Sequence, residues 1–226
     1  MQITTLQLWS AHVPALRQFY MRLLPASVEV ASDDTLRLRI GSAQVIFKQA
    51  AAGWQGMYHY ALLVPPQHLA AAKAYVAAHT PLIRDSAGGD QFAFESWGAN
   101  AFYWYDPAGN IGEIIAHGAS APGDAPFSDQ SLTGIAEAGV VADDVVTLAE
   151  QLRRTLGIAT YRSASDDFIP LGDDDARLIL VRNGRIWFPD TGIAAAPAPA
   201  TIQLRRDDGA LFRLRCTTSG VTVAQA

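Results

Sequence analysis

The sequence predicts an α+β fold built from a repeated strand–helix–strand unit, and three observations lead there. A strand, an amphipathic helix and three or four further strands follow one another three times in 226 residues. Three helices are too few to cover both faces of a parallel sheet. No glycine-rich nucleotide loop follows any of the strands. Half of the residues are hydrophobic and 17% are charged, so a sizeable core can form and global disorder is excluded.

In the first unit, Ile3–Trp9 reads as a strand and a helix follows from about Pro14 to Leu24. Leu16, Phe19, Tyr20 and Leu23 recur at helical spacing there, and Pro14 sits in the first turn, where its missing N–H has no helical partner. Short strands follow at Val28–Val30, Thr35–Ile40 and Gln44–Phe47. In the middle one Leu36, Leu38 and Ile40 alternate with Arg37 and Arg39, the period of a sheet with one solvated face. The second unit repeats the order. Tyr58–Val64 is its first strand, and Pro66 opens a helix carrying Leu69, Ala72 and Val76. Strands follow near Leu82–Arg84, Gln91–Phe94, Phe102–Tyr105 and Ile111–Ala116, the last two joined as a hairpin by Asp106-Pro107-Ala108-Gly109-Asn110.

Gly118–Ser131, with Pro122 and Pro126, reads as a linker. The third unit then begins at Leu132–Val141. Asp143 or Asp144 caps a helix with Val145, Leu148, Ala149, Leu152 and Leu156 on one face, and Gly157 stops it. Strands are expected at Phe168–Leu171, Arg177–Val181, Thr201–Arg205 and Leu211–Arg215, the last after a tight turn at Asp207-Asp208-Gly209.

Composition narrows the function classes. Seventeen Lys and Arg against 22 Asp and Glu give a net charge of −5, which argues against nucleic acid as a partner. The single cysteine, Cys216, excludes an internal disulfide and a cysteine-rich zinc site. No signal-peptide pattern opens the chain and no uncharged apolar run reaches membrane-spanning length. A soluble cytoplasmic protein is the expectation.

Glu113 is the sharpest single candidate. Pleating puts it on one face with Ile111 and Ile115, and an unpaired carboxylate on a buried face costs several kcal/mol, at least ~2. It therefore needs a metal, an arginine or a ligand, unless the face is solvated at that point. A five-residue turn at 106–110 would set Tyr103 opposite Glu113, with His117 sharing its parity; a register one residue off would put Phe102 and Trp104 on that face instead. His59 lies in an apolar strand, where an imidazole serves as ligand, base or core residue. Trp97 and Asn100 fall in a loop entering the hairpin and are candidates for a small-molecule pocket. Asp173-Asp174-Asp175 reads as a solvated turn, lacking the spacing of a calcium loop. The aromatic stretch Arg185–Pro189 is expected to cover the third unit's sheet or meet another subunit.

The run Phe102-Tyr103-Trp104-Tyr105-Asp106-Pro107-Ala108-Gly109-Asn110-Ile111-Gly112-Glu113 resembles the hairpin of the vicinal oxygen chelate superfamily, which includes glyoxalase I, bleomycin-resistance proteins and extradiol dioxygenases. Ile3–Leu8 followed by Phe19-Tyr20 is similar to the superfamily's module start. The resemblance implies βαβββ modules with mixed sheets forming a cup. The first two modules would close it over residues 1–117, 118–131 would be a linker, and 132–226 a third module. It also implies a divalent metal (Zn, Fe, Mn or Ni) held by His59 and Glu113. Thr5 stands where the first module's histidine would be, so a third ligand would come from Gln44, Gln49 or another chain. Two functions follow: a metal-dependent lyase, isomerase or ring-cleaving dioxygenase acting on a small oxygenated substrate, or a metal-free small-molecule-binding protein of the resistance type. Because a third module is left without a partner, the resemblance further implies a homodimer through Trp187 and Phe188.

Overall fold

The computed structural model describes residues 1–118 and 126–226; part of the expected linker, 119–125, lies outside the described residues. The first unit is β1 (Gln2–Ser10), α1 (Val13–Leu23), β2 (Val28–Ala31), β3 (Thr35–Ile40) and β4 (Ala43–Gln49). The second is β5 (His59–Leu63), α2 (Leu69–His79), β6 (Phe92–Phe94), β7 (Ala99–Tyr105) and β8 (Ile111–His117). Then come β9 (Gly134–Ala142), α3 (Val145–Leu156), β10 (Phe168–Gly172) and β11 (Arg177–Arg182), followed by β12 (Ala200–Arg205), β13 (Leu211–Thr217) and β14 (Gly220–Gln225).

Each helix appears where its apolar face was legible. In α3, Asp144 caps the first turn by accepting from the Thr147 amide at 3.0 Å, and Gly157 ends the helix in the left-handed region at φ 65°. Residues Pro66–His68 form a 3₁₀ turn before α2 rather than its first helical turn. The expected strand at Leu82–Arg84 reduces to a single bridge from Leu82 to Trp104. A strand the patterning did not reveal, β14, pairs with β13 and carries the chain end back along the sheet. Its partly buried Val221 and Val223 are too few to stand out against the polar residues between them.

Within each unit the first strand runs parallel to the last: β1 to β4, β5 to β8 and β9 to β11. Pairing between units corrects the expected arrangement. The first two units do not share a cup. β5 pairs antiparallel with β9, so the second unit joins the third, while β1 pairs antiparallel with β12, so the first unit joins the C-terminal strands. The continuous order is β14-β13-β12-β1-β9-β5-β8-β7-β6, with the remaining strands branching from β1 and β9. No unit is left unpartnered, because the strands after β11 build the first unit's partner sheet without a helix of their own.

The two sheet faces bury different cores. Residues such as Tyr60, Leu62, Phe102, Trp104 and Ile114 pack toward the helices in the larger core, with Tyr20 of α1 bonded to both Tyr60 and Asp106. Ala61, Tyr103, Ile111, Ile115, Ala136, Ile179 and Trp187 form a second cluster on the opposite face of β5, β7, β8, β9 and β11. That second face holds the polar centre.

Candidate metal centre and its cavity

The hairpin places Glu113. Asp106 Oδ1 accepts from the amides of Ala108 and Asn110, which closes the five-residue turn, and Tyr103 then stands opposite Glu113 as the parity predicts. Asn110 Oδ1 in turn accepts from the Tyr58 amide, fixing β5 against β8 one residue before His59. His59 and Glu113 therefore face each other, with Nε2 to Oε2 at 3.3 Å.

Glu137 of β9 completes the group. Its Oε2 lies 3.5 Å from the same His59 Nε2, and one donor atom from each of His59, Glu113 and Glu137 lies within 4.8 Å of the others. All three side chains are buried. The symmetry of the pairing explains the placement. Tyr60 stands opposite Ala138 at the centre of the β5–β9 pair, so Glu137 occupies in the third unit the position that His59 occupies in the second. On the outer strands Glu113 pairs with Ala61, and Ile179 pairs with Gly139. Ile179 thus takes the fourth position, leaving one apolar wall where a fourth ligand would stand.

Glu137 was not anticipated from the sequence. The signal was the one used for Glu113, a carboxylate between apolar neighbours (Ala136 and Ala138) in a buried strand. The expected third ligands belong elsewhere: Thr5 and Gln44 pair with each other in the β1–β4 sheet, and the Gln49 amide donates to the carbonyls of Ala11 and Ala50.

Arg177, with no exposed side-chain surface, holds Glu137 in place. Its Nε and Nη2 both donate to Glu137 Oε1, at 3.2 and 2.9 Å, and leave Oε2 turned toward His59. The guanidinium also contacts His117 Nε2 at 2.8 Å, donates to the Asp173 carbonyl and stacks over the rings of Trp97 and Tyr161. His117 is therefore near the centre but engaged by Arg177.

Electrostatics follow from burial and these partners. Burial opposes a charge on His59, but the hydrogen bonds and negative charges of Glu113 and Glu137 outweigh it and raise its pKa to about 9. Burial and the neighbouring Glu137 push Glu113 up to about 7. Burial also resists ionisation of Glu137, yet His59 and Arg177 together hold it below the usual carboxylate range. The Tyr103 phenol is pushed well above its ordinary value by burial and by Glu113, so it stays neutral.

A cavity of about 260 Å³ opens onto the group, larger than the ~150 Å³ that admits a benzene ring. Phe94, Trp97, Tyr103, Phe168, Trp187 and Phe188 form aromatic walls, while Ser96, Ser163 and Arg185 supply polar groups. Trp97 and Tyr103, two of the sequence candidates, line this cavity. Asn100 does not: it alternates with Tyr103 along β7, pairs with Ala116 on β8 and is absent from the cavity wall. Trp187, expected to cover a sheet or meet another subunit, is 5% exposed and packs on His59, ring centroids 5.4 Å apart. Asp173–Asp175 is a turn closed by Asp173 Oδ1 accepting from the amides of Asp175 and Ala176.

The donor set fits a divalent ion. One imidazole nitrogen and two carboxylate oxygens make the three protein ligands usual for a catalytic site, mixing borderline and hard donors. Arg177 orients one carboxylate from behind, as outer groups do around bound ions. His59 Nδ1 is buried without a partner, so the ring's outer nitrogen lacks the support that ligating histidines commonly have.

No family model and no curated protein matches the sequence. Solved structures do match. A Bacillus subtilis subsp. subtilis str. 168 protein described as a "putative dioxygenase" superposes with TM-score 0.61 at 14% identity, covering 100% of this chain and 84% of that one. A mutant of glyoxalase I from Zea mays gives TM-score 0.53 at 14% identity, covering 99% of this chain and 92% of that one. A second mutant of the same enzyme, in another crystal form, gives 0.53 at 13%, covering 99% and 93%.

Proposed function

The chain has the fold of the vicinal oxygen chelate superfamily, and on that premise we propose that it is a metal-dependent enzyme of the lyase, isomerase or ring-cleaving dioxygenase kind, acting on a small oxygenated substrate. The observation that carries this reading is the convergence of His59, Glu113 and Glu137 from three strands at the floor of an aromatic-walled cavity. These three residues would hold Zn, Fe, Mn or Ni. Such an ion supplies Lewis-acid polarisation of substrate oxygens.

The chain's own residues would do the rest. Arg177 keeps Glu137 anionic and correctly turned. Tyr103, neutral throughout the working range, is a hydrogen-bond donor facing the cavity. Trp187, Phe188, Phe94 and Phe168 exclude water and stack on a flat substrate body. Arg185 would attract an anionic substituent.

A second reading has its own support. Arg177 already neutralises Glu137, and a protonated His59 would neutralise Glu113, so the polar group is self-consistent without an ion. This favours a metal-free binding protein that encloses a small molecule in the same cavity. Homodimer formation and a cytoplasmic location are proposals as well. Any dimer contact would not run through Trp187, which is buried within its own chain. No helix among the described residues is long and apolar enough to cross a membrane.

Calorimetric titration with Mn²⁺, Zn²⁺, Fe²⁺ and Ni²⁺ separates the two readings. The enzyme reading expects one site per chain for at least one ion, lost in His59→Ala and weakened by ~10-fold or more in Glu137→Gln. Folded protein that takes up none of the four ions supports the metal-free reading.

A further inference from the structure

The other half of the sheet carries a second, arginine-bearing face. Leu38, Val45, Leu6, Ile202 and Leu214 point into the core, so the alternating residues of β3, β4, β1, β12 and β13 point outward. Strand pairing arranges them in two rows. One runs Arg39, Gln44, Thr5, Gln203, Arg213, and the next runs Arg37, Ile46, Gln7, Thr201, Arg215. Lys48 and Trp9 begin a third row. The positions matching His59 and Glu113 are Thr5 and Ile46 here, so the histidine and that carboxylate of the other cup are replaced by neutral residues, with arginines at both ends.

Little neutralises these cations. Glu29 bonds Arg39 and the Gln44 amide. Arg213 and Arg215 are exposed, and their strand partners are Gln203 and Thr201 on one side and Ala224 and Thr222 on the other. Arg37 Nε is buried without a partner. A groove of about 510 Å³ runs over β1, β12 and β13, lined by Gln7, Trp9, Thr201, Gln203, Arg213 and Arg215.

We propose that this groove binds a small molecule bearing a phosphate or carboxylate, with Arg213 and Arg215 gripping the anionic group and Gln7, Gln203 and Trp9 holding the remainder. The two arginines are two residues apart on one strand, about 7 Å between Cα atoms, so both guanidiniums reach a single oxyanion, each with paired N–H donors. The amides and hydroxyl beside them are further donors. A small ligand fits better than a long polyanion. The floor between the arginine rows is neutral, and the chain's net charge of −5 opposes an extended nucleic acid. The site is independent of the proposed metal centre.

The test is an amide-spectrum and calorimetric titration of the full chain with inorganic phosphate and, separately, citrate, with glycerol as neutral control. The expected result is saturable one-to-one binding of at least one anion, with shifts confined to β1, β12 and β13. The Arg213→Gln/Arg215→Gln double variant should bind ~10-fold more weakly or worse while melting as the parent does. Whether phosphate or citrate binds assigns the anion type. The proposal is overturned by no saturation up to ~10 mM, by equal binding in the double variant, or by shifts mapping to the His59 cavity. A single-stranded oligonucleotide binding more tightly than either small anion would overturn it too.

Discussion

At the scale of single residues, the centre depends on charge that the surroundings compensate. Arg177 is fully buried against Glu137, and removing one partner of such a pair leaves the other charge uncompensated at a cost of about 3–5 kcal/mol. Arg177→Met should therefore lower Tm by roughly 10 °C, and thermal melting checks this; an unchanged Tm would mean that Glu137 finds another partner. Protons and a bound ion would compete for the same atoms. Without an ion, Glu113 (up to about 7) and His59 (up to about 9) bind protons more readily folded than unfolded. Their contribution to stability is present at low pH. Glu113's is lost as pH rises from its ordinary 4.5 through about 7, and His59's from 6.5 through about 9. An ion must displace those protons, so the melting shift produced by a binding ion should grow from pH 6 to pH 9. A shift that shrinks over that range would argue against these ligands. Glu113 and His59 were legible because a strongly polar group in an apolar strand stands out. Glu137 and Arg177 carry the same signal in apolar runs, but the partner that gives it meaning lies in another unit.

At the scale of elements, amphipathic helices and the turn-rich hairpin were legible because their determinants are local: the 3.6-residue spacing of α1, the Asp144 cap of α3 and the Asp106–Asn110 turn. Choice of partner strand was not, because β1 and β9 are both nine-residue strands that open a unit, and pairing with β5 is a contact between units rather than a local pattern. One close approach within β9 bears on the site. A Cβ at Gly139 would stand 3.0 Å from Trp187 Cη2 and 3.2 Å from the His59 carbonyl. Gly139→Val should push Trp187 off His59 and cost about 1–3 kcal/mol, visible as changed tryptophan fluorescence and a lowered Tm. Parent-like fluorescence and Tm would show that the wall yields more readily than the packing suggests.

At the scale of the whole molecule, one repeated unit has been used in two ways. The second and third units join through β5 and β9 and bring His59, Glu113 and Glu137 together. The first unit joins the C-terminal strands through β1 and β12 and presents arginines on the corresponding face. That division explains why Thr5 departs from the ligand pattern: it belongs to the half that has no metal-type centre among the described residues. It also removes the argument for a dimer built on an unpartnered unit, since the third unit's edge is satisfied within the chain. If the second and third units jointly hold an ion, its position is directly observable. Crystals grown with the tightest-binding metal, measured at its absorption edge, should show one anomalous peak at about 2.0–2.2 Å from His59 Nε2 and from a carboxylate oxygen each of Glu113 and Glu137. A peak bound without Glu137, or no peak within the cavity, would mean that the two units do not share an ion.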